Sequence, residues 1–370
     1  MVTRRTQLKL RTLIFIVTLI AIWLGYCEYR RRCWDELLSL QRTMQNEWLG
    51  FIAFDETVAP RSSVLRYVFG AYPRPDELSI SSVGDWAERD RQITAAEALK
   101  TMCDVRKLRL SSCSITSEMA ASIQNMEHLE DLSLERCSGA LDEIVLNEQI
   151  DTFKAEGSQR DLLVGNTYPK LRSLSGDSLV IPKLLPIAPN LEELTCSLDE
   201  KWYKKTRFSS DKLIKLQLHY SQLDDTELLS LGVQHSKGLK MLDLSASNVT
   251  FQAYRVSDYH PSLQSLEIRH SACTNYSEIG ALPNLQYLSI SGHPVFADEP
   301  LVGVDLSEFR PPVLRDLIVG IAINDRVLDS LTLPKLRILE IPKDVTTSAR
   351  QRFQRRHPKC LIQNLLFEDW

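Results

Sequence analysis

The sequence is poor in glycine and carries little net charge. Its 370 residues include 14 glycines, and the formal net charge is −4. Apolar residues at 44% and charged residues at 25% are typical of a globular chain, which excludes a disordered or collagen-like protein. Because no strong positive charge is present, nothing attracts the whole chain to nucleic acid, and we expect no nucleic-acid partner.

Sequence motifs of common enzymes and metal sites are also missing. There is no GxxxxGK[ST], GxSxG or HExxH motif, no GxGxxG after a strand, and no CxxC pair among the eight cysteines. We therefore expect no enzyme activity, no cofactor and no small-molecule substrate. His219, His270 and His293 could be proposed as metal ligands, but His219 and His270 hold different positions in the pattern described next, which favours solvated histidines.

Leucine is abundant, with 56 residues, and it recurs in the frame L-x-x-L-x-L. Copies of this frame begin at Val105, Leu129, Leu171, Leu191, Leu213, Leu239, Leu263, Leu285, Leu314 and Leu336. Traces of two more lie at Leu78 and Ile150. Starts from Leu171 onward are 20–29 residues apart, the period of leucine-rich repeats. The second and third leucines of the frame would point inward from a short strand, so that stacked repeats form a parallel sheet.

Residues around the frame mark turns and helices. Proline stands two residues before the first leucine six times, where it ends a helix or begins a strand. Cys113 and Cys137 share the ninth frame position, and we interpret them as small buried thiols rather than as a redox pair. Expected helix N-caps follow at Thr116, Asp224, Thr250 and Asn324. Asp224 with Glu227 resembles a capping box.

An uncharged apolar run, Thr12–Cys27, lies near the N-terminus. With basic residues on both sides, it predicts a single transmembrane anchor. The apolar residues of this anchor are Leu13, Ile14, Phe15, Ile16, Val17, Leu19, Ile20, Ile22, Trp23 and Leu24. A cleaved signal peptide is the alternative, but no small-x-small cleavage site follows. The flanking charges balance, which leaves the orientation open with a slight preference for an extracytoplasmic repeat domain. Cys27 and Cys33 are either plain thiols or acylated.

These patterns divide the chain into five segments. Residues 1–11 form a basic tail, residues 12–28 form the transmembrane anchor, and residues 29–73 form a juxtamembrane helix with an N-terminal capping region. Residues 74–345 hold about ten leucine-rich repeats, and residues 346–370 form a C-terminal capping helix, a strand and a tail. The expected fold is α/β, a leucine-rich-repeat solenoid (horseshoe) with a parallel concave sheet, preceded by a transmembrane helix.

The pattern L-x-x-L-x-L-x-x-[C/S]-x-[I/L/V]-[T/D/N] resembles the cysteine-containing class of leucine-rich repeats. With the apolar segment 10–25, the strand Gly50–Asp55 and the closing segment Arg352–Ile362, the chain resembles a family of bacterial membrane-anchored leucine-rich-repeat proteins. The resemblance covers roughly residues 8–55 and 75–362. It implies the architecture and says almost nothing about function.

The concave face is the default binding surface of a curved repeat protein. Seven residues are the candidate contacts for a partner: His219, Tyr220, Asp243, Glu267, Arg269, His270 and Tyr287. Such aromatic and charged side chains are enriched at protein interfaces, although an ordinary polar sheet surface is the alternative. The basic and aromatic segment Lys201–Phe208 suits anionic lipid or single-stranded nucleic acid, but a solvated loop is the simpler interpretation.

The sequence therefore predicts a non-enzymatic, membrane-tethered protein that binds an unidentified protein partner through its repeats. We expect a single-pass membrane location. The alternatives are an architectural protein of the cell envelope without a dedicated ligand and, less favoured, an enzyme subunit with an unrecognised site.

Overall fold

The structure is a computed structural model of the chain. It describes residues 4–46, 50–55, 74–81, 89–102, 104–157, 168–177, 180–197, 212–219, 223–273, 275–291, 306, 308–320, 323–343 and 345–364. The chain forms two compact units. The N-terminal unit comprises Met1–Ile150 with Ser158–Leu163, and the C-terminal unit comprises Asp151–Gly157 with Val164–Trp370.

One long helix, α1 (Arg4–Asn46), begins the N-terminal unit. It runs without a break through the predicted anchor and the predicted juxtamembrane helix. Its large apolar side chains from Phe15 to Leu24 are mostly exposed, with Phe15 at 63% and Ile22 at 64%. The side chains of Leu13 and Ile14 lie outside the described part of the chain. Within the described residues, no helix has the combined length and apolar character that crossing a membrane would need.

The sheet of the N-terminal unit joins strands from its repeats. The described strands are β1 (Gly50–Asp55), β2 (Arg74–Ser81), β3 (Lys107–Ser111), β4 (Ser114–Ile115), β5 (Asp131–Glu135) and β6 (Ser138–Gly139), with helices α2 (Arg89–Thr101) and α3 (Ser117–Gln124). β2, β3 and β5 pair in parallel, and β4 pairs separately with β6. β1 differs from the expected all-parallel sheet because it pairs antiparallel to β2. An added strand of this kind satisfies the backbone groups at an edge that a repeat would otherwise expose.

The C-terminal unit is a regular succession of parallel strands. They are β7 (Thr152–Glu156), β8 (Ser173–Gly176), β9 (Glu193–Ser197), β10 (Lys215–His219), β11 (Met241–Asp243), β12 (Ser265–Glu267), β13 (Tyr287–Ser291), β14 (Asp316–Gly320), β15 (Ile338–Ile341) and β16 (Leu361–Asn364). The helices between them are α4 (Ile181–Leu184), α5 (Asp225–Ser230), α6 (Val256–Tyr259), α7 (Tyr276–Gly280), α8 (Asp325–Ser330) and α9 (Thr347–Arg356). Each strand pairs in parallel with the next along the chain. The weak trace at Ile150 is a true repeat, since it forms β7.

The inward leucines of successive repeats stack in register. Leu242 of β11 lies beside Leu266 of β12, which lies beside Leu288 of β13, and all three are fully buried. Burying such a side chain stabilises the fold by about 1.5–3 kcal/mol. The predicted frame is therefore confirmed, and the residues between these leucines form the opposite, outward face of the sheet.

The turn after each strand also repeats. Of the five described residues other than glycine that adopt a left-handed backbone, Phe251 lies in the loop after β11, and the other four have φ between 52° and 57°: Ser112, Arg136, Ala246 and His270. These last four residues all hold the eighth position of the frame. Single residues other than glycine visit this region at an energetic cost, so its recurrence at one position shows that the repeat turn imposes it.

Three of the four predicted N-caps are confirmed. The side chains of Thr116, Asp224 and Asn324 each accept a hydrogen bond from the backbone N–H three residues later, and Asp224 forms the expected capping box with Glu227. The prediction for Thr250 is wrong, because the next helix, α6, begins only at Val256. Instead, Thr250 Oγ1 donates to Asp225 Oδ2 at 3.0 Å.

Asp225 joins its own repeat to the next one. Its carboxylate accepts the backbone N–H groups of Thr250 at 2.8 Å, Phe251 at 3.1 Å and Ala253 at 2.8 Å, and it is only 7% exposed. Burial raises the pKa of Asp225, but hydrogen bonds from Ala253 and Thr250 outweigh this, and the net pKa is lowered. The carboxylate therefore holds together a loop that has no regular secondary structure.

The C-terminal helix α9 is fixed to the preceding repeat by its basic residues. Arg352 Nη2 lies 2.6 Å from Asp329 Oδ2, and Arg356 Nη2 donates to the Leu328 carbonyl at 3.1 Å. Arg350 Nη2 donates to the Pro342 carbonyl at 2.6 Å. These bonds fix α9 to the preceding helix α8 and to the segment that follows β15.

Candidate functional site

The outward face of strands β11, β12 and β13 brings several predicted contact residues together. In the register of the sheet, Met241 lies beside Ser265 and Ser265 beside Tyr287. One row further along the strands, Asp243 lies beside Glu267 and Glu267 beside Ser289. Neighbouring strands are ~4.8 Å apart, so these two rows form one continuous surface about two strand spacings wide.

Arg269 connects the side chains of this surface. Its Nη2 lies 3.2 Å from Glu267 Oε2 and donates to Tyr287 Oη at 3.3 Å. Its Nε donates to Ser289 Oγ at 3.0 Å. Partial burial lowers the pKa of Arg269, but the hydrogen bond with Tyr287 and the charge of Glu267 more than compensate, and the net pKa is raised. We call these four residues and Asp243 the Arg269 cluster.

Asp243 forms the buried part of the Arg269 cluster. Although it holds an outward frame position, it is only 4% exposed, and Ser289 is fully buried. Asp243 Oδ1 accepts hydrogen bonds from Ser245 N at 2.9 Å and from Ser245 Oγ at 2.5 Å. A partner would therefore contact the side chains of Arg269 and Tyr287, whereas the buried carboxylate of Asp243 would contribute negative charge without direct contact.

The other predicted contact residues lie apart from this cluster or outside the described structure. His270 is exposed but sits in the left-handed turn after β12, so it does not belong to the sheet face as predicted. His219 ends β10, and its side chain lies outside the described part, as do Tyr220, His293 and the segment Lys201–Phe208. For these residues the sequence predictions stay predictions.

The sequence analysis did not single out two serines that form hydrogen bonds in this cluster. Ser289 and Ser245 hold the fifth and seventh frame positions, which are outward positions, and they bond to Arg269 and Asp243 respectively. The frame alone could have pointed to them. Serine is common on polar sheet surfaces, however, and only the contacts distinguish these two.

The cysteines of the repeat turns are buried thiols. Cys113 Sγ lies 3.3 Å from the Ser111 carbonyl, and Cys137 Sγ lies 3.3 Å from the Leu110 carbonyl. Within the part of the chain that the structure describes, neither thiol forms a disulfide bond. The pKa of Cys137 is lowered, chiefly by a hydrogen bond with the Cys113 side chain. Burial of both thiols, at 1% and 0% exposure, keeps them away from soluble reagents.

Buried leucine rows, parallel strands and a recurring turn are the features of a leucine-rich-repeat fold. Searches with protein-family models and against curated proteins gave no match. Solved structures with similarity include an internalin, InlF, from Listeria monocytogenes, at 16% identity and a TM-score of 0.38, covering 72% of this chain and 88% of that one. Another is Listeria monocytogenes InlP, at 15% identity and a TM-score of 0.31, covering 67% and 57%. At these values the likeness carries no argument about a partner or an activity.

Proposed function

We propose that this chain is a non-enzymatic, membrane-tethered leucine-rich-repeat protein that binds another protein through the outward face of strands β11–β13. The observation that carries the proposal is the Arg269 cluster. Arg269 is held by Glu267, Tyr287 and Ser289 before any partner arrives, so binding would cost little side-chain entropy.

The composition of the cluster supports a protein partner. Arginine and tyrosine are among the residues most enriched at binding hot spots. Here Tyr287 begins β13, and Arg269, in the turn directly after β12, is fixed to β12 and β13 by its contacts with Glu267, Tyr287 and Ser289. Glu267 and the buried Asp243 supply negative charge beside Arg269, so the surface offers both signs within a few ångströms. Such a surface favours a partner with a complementary charge pair over a uniformly charged polymer.

The tether is proposed on the apolar side chains of α1. Residues such as Phe15, Ile22 and Leu24 are about half exposed or more, and exposed apolar area on this scale is normally covered by a membrane or a partner. Full-length chain should remain in the membrane fraction after an alkaline carbonate wash, and a chain beginning at Arg30 should not. Release of the full-length chain by the wash would refute the tether.

Site-specific photo-crosslinking tests the binding face. A photoreactive phenylalanine analogue replaces Tyr287 in the full-length chain, and in a control it replaces Gln252, an exposed residue in the loop after β11. We expect one dominant crosslinked protein at position 287 and not at position 252. Diffuse crosslinking that is equal at both positions would contradict the proposal and favour the architectural role.

Affinity measurements with that crosslinked protein then test the residues. Tyr287→Ala and Arg269→Ala should each weaken binding by about 1–3 kcal/mol, because hot-spot truncations have this magnitude. Arg255→Ala is the control, since Arg255 is an exposed arginine that pairs with Asp258 away from the sheet face. Equal losses for Arg255→Ala and Arg269→Ala would show that general charge, and not the cluster, governs binding.

A further inference from the structure

A second surface feature of the C-terminal unit lies at the edge of the sheet where its last strands begin. A recess of about 440 Å³ is lined there by Arg315, Pro334, Lys335, Leu336, Arg337 and Lys359. Four of these six residues are cationic, and all four are exposed. The apolar Pro334 and the nearly buried Leu336 provide the rest of the lining. We call this the cationic recess.

The backbone holds two of the cations side by side. Arg315 directly precedes β14, and Arg337 directly precedes β15, so both occupy the second position of the frame. The Arg337 N–H donates to the Arg315 carbonyl at 2.7 Å, and the Leu361 N–H donates to the Arg337 carbonyl at 2.7 Å. The two guanidinium side chains therefore start one strand spacing apart, ~4.8 Å. Like charges placed directly opposite each other in a sheet repel, and a bound anion would relieve that repulsion.

Two other places in the chain have an acid beside the arginine at this frame position. At the same frame position in the C-terminal unit, Arg172 Nε lies 3.5 Å from Asp151 Oδ1 in the preceding repeat. In the N-terminal unit, Arg106 Nη2 lies 2.6 Å from Glu130 Oε2 in the following repeat. At these two places, opposite charges pair across neighbouring repeats.

The cationic recess has no such acid. Within the described residues, the side chains of its four cations, Arg315, Lys335, Arg337 and Lys359, make no ion pair and no hydrogen bond. The acidic residues of the same repeats either pair with other cations or lie on the outward face of the sheet. Asp329 pairs with Arg352, while Asp316 and Glu340 hold outward positions on β14 and β15. Four positive charges therefore face one concavity without neutralisation from the described part of the chain.

An adjoining recess extends the surface. It measures about 480 Å³ and shares Pro334, Leu336 and Lys359 with the cationic recess. It adds Arg356, whose guanidinium is already fixed by hydrogen bonds to the carbonyls of Leu328 and Asp329. The combined site has a cationic wall and an apolar floor, and its volume exceeds that of a single small ion.

We propose that the cationic recess binds a multiply charged phosphate-type anion. Arginine presents its N–H groups as a planar fork that matches phosphate oxygens, and lysine adds compact positive charge. A diphosphate or a phosphate monoester has enough oxygens to contact Arg315, Arg337 and Lys359 together. The same chemistry occurs in soluble phosphorylated compounds and in lipid headgroups, and the site is separate from the Arg269 cluster on the sheet face.

Calorimetric titration with inorganic pyrophosphate tests the site in the full-length chain, held in uncharged detergent micelles at low ionic strength. Arg337→Gln and Lys359→Gln should each weaken binding about tenfold or more, because hydrogen bonds between charged groups are the strong ones. Lys240→Gln is the matched control. Lys240 is exposed and holds the same frame position as Arg337, but Ile214 and Gln264 are its neighbours in that row.

A second titration distinguishes the sources of the anion. Phosphatidic acid is added to the same micelles in place of pyrophosphate. Binding of free pyrophosphate that depends on Arg337 and Lys359 indicates a soluble ligand. Binding of phosphatidic acid alone, with the same dependence, indicates a lipid headgroup. The proposal is overturned if neither probe binds, or if Lys240→Gln weakens binding as much as Arg337→Gln does. Melting temperature should not change in any of these variants, since all the positions are exposed.

Discussion

Replacing Asp225 by asparagine should destabilise the chain far more than an ordinary exchange of a surface polar side chain. The carboxylate accepts backbone hydrogen bonds from Thr250, Phe251 and Ala253 and a hydroxyl bond from Thr250. Asparagine keeps one acceptor oxygen, and its NH₂ group then faces N–H donors. Each buried donor left without a partner costs about 1–3 kcal/mol, so we expect a loss of about 3–5 kcal/mol in the free energy of unfolding.

The repeat provides a matched control for this exchange. Asp325 holds the same helix position in α8, and its carboxylate accepts from Thr346 N at 3.0 Å and Thr346 Oγ1 at 2.5 Å. These two bonds are fewer than the five at Asp225, where the Tyr254 N–H also donates to Oδ2 at 3.4 Å. The Asp325 side chain is also accessible to water, which replaces lost partners. Asp325→Asn should therefore cause a clearly smaller loss than Asp225→Asn.

Two measurements check the expectation. Urea unfolding of the full-length chain gives the total loss, and amide hydrogen exchange reports whether Thr250, Phe251 and Ala253 lose protection specifically. Because the folded pKa of Asp225 is lowered, its contribution is present above its ordinary pKa near 3.8 and is lost as the pH falls through the folded value. A loss below about 1 kcal/mol, or equal losses at Asp225 and Asp325, would refute the bridging role.

Three further outcomes are expected. Burial lowers the pKa of His260 to about 4, so between pH 6.5 and 4 the unfolded chain binds a proton at His260 that the folded chain does not. The free energy of unfolding should therefore fall by about 3 kcal/mol over this range. His260→Gln should abolish this decrease in unfolding curves measured across the same pH range. Leu266→Ala should lower the free energy of unfolding by about 2–5 kcal/mol because it leaves a cavity in the core, whereas Gln264→Ala at an exposed position should lower it by about 0.5 kcal/mol or less. Equal losses in urea unfolding would contradict the assignment of inward and outward positions. Gly280→Ala should lower the melting temperature, because an added Cβ would meet the Arg310 backbone nitrogen at 2.9 Å; an unchanged value would show that the loop yields freely.

The repeat strands could be predicted because their signal is local. Leucines two residues apart on a strand define an inward row, and this pattern correctly placed β7, which lacks leucine altogether between Ile150 and Ala155. Helix N-caps such as Asp224 could be predicted for the same reason, since the cap and its hydrogen-bond partner lie three residues apart. The antiparallel pairing of β1 with β2 could not be predicted, because the direction of a strand depends on the path of the chain between the two strands and not on the residues within them.

The candidate binding face was only partly predictable. The frame correctly assigned Glu267 and Tyr287 to neighbouring strands, and Arg269, two residues beyond the end of β12, contacts both of them. It placed His270 on the same face, although the left-handed backbone puts that residue in the turn. It also treated Asp243 as an exposed residue, and its burial follows from contacts with residues of other repeats that the frame does not describe.

Within a repeat, the sequence by itself determined the strand, the inward leucines and most helix caps, because each depends on residues a few positions apart. Tertiary structure decided what neighbouring repeats do to one another. Asp225 forms hydrogen bonds with Thr250, which is 25 residues later in the sequence, and Arg315 lies beside Arg337, which is 22 residues later. Repeat lengths vary between 20 and 29 residues, so the sequence does not state which side chains become neighbours. The hydrogen-bond ladder sets that register, and with it whether a charge is paired with an acid or left facing an open recess.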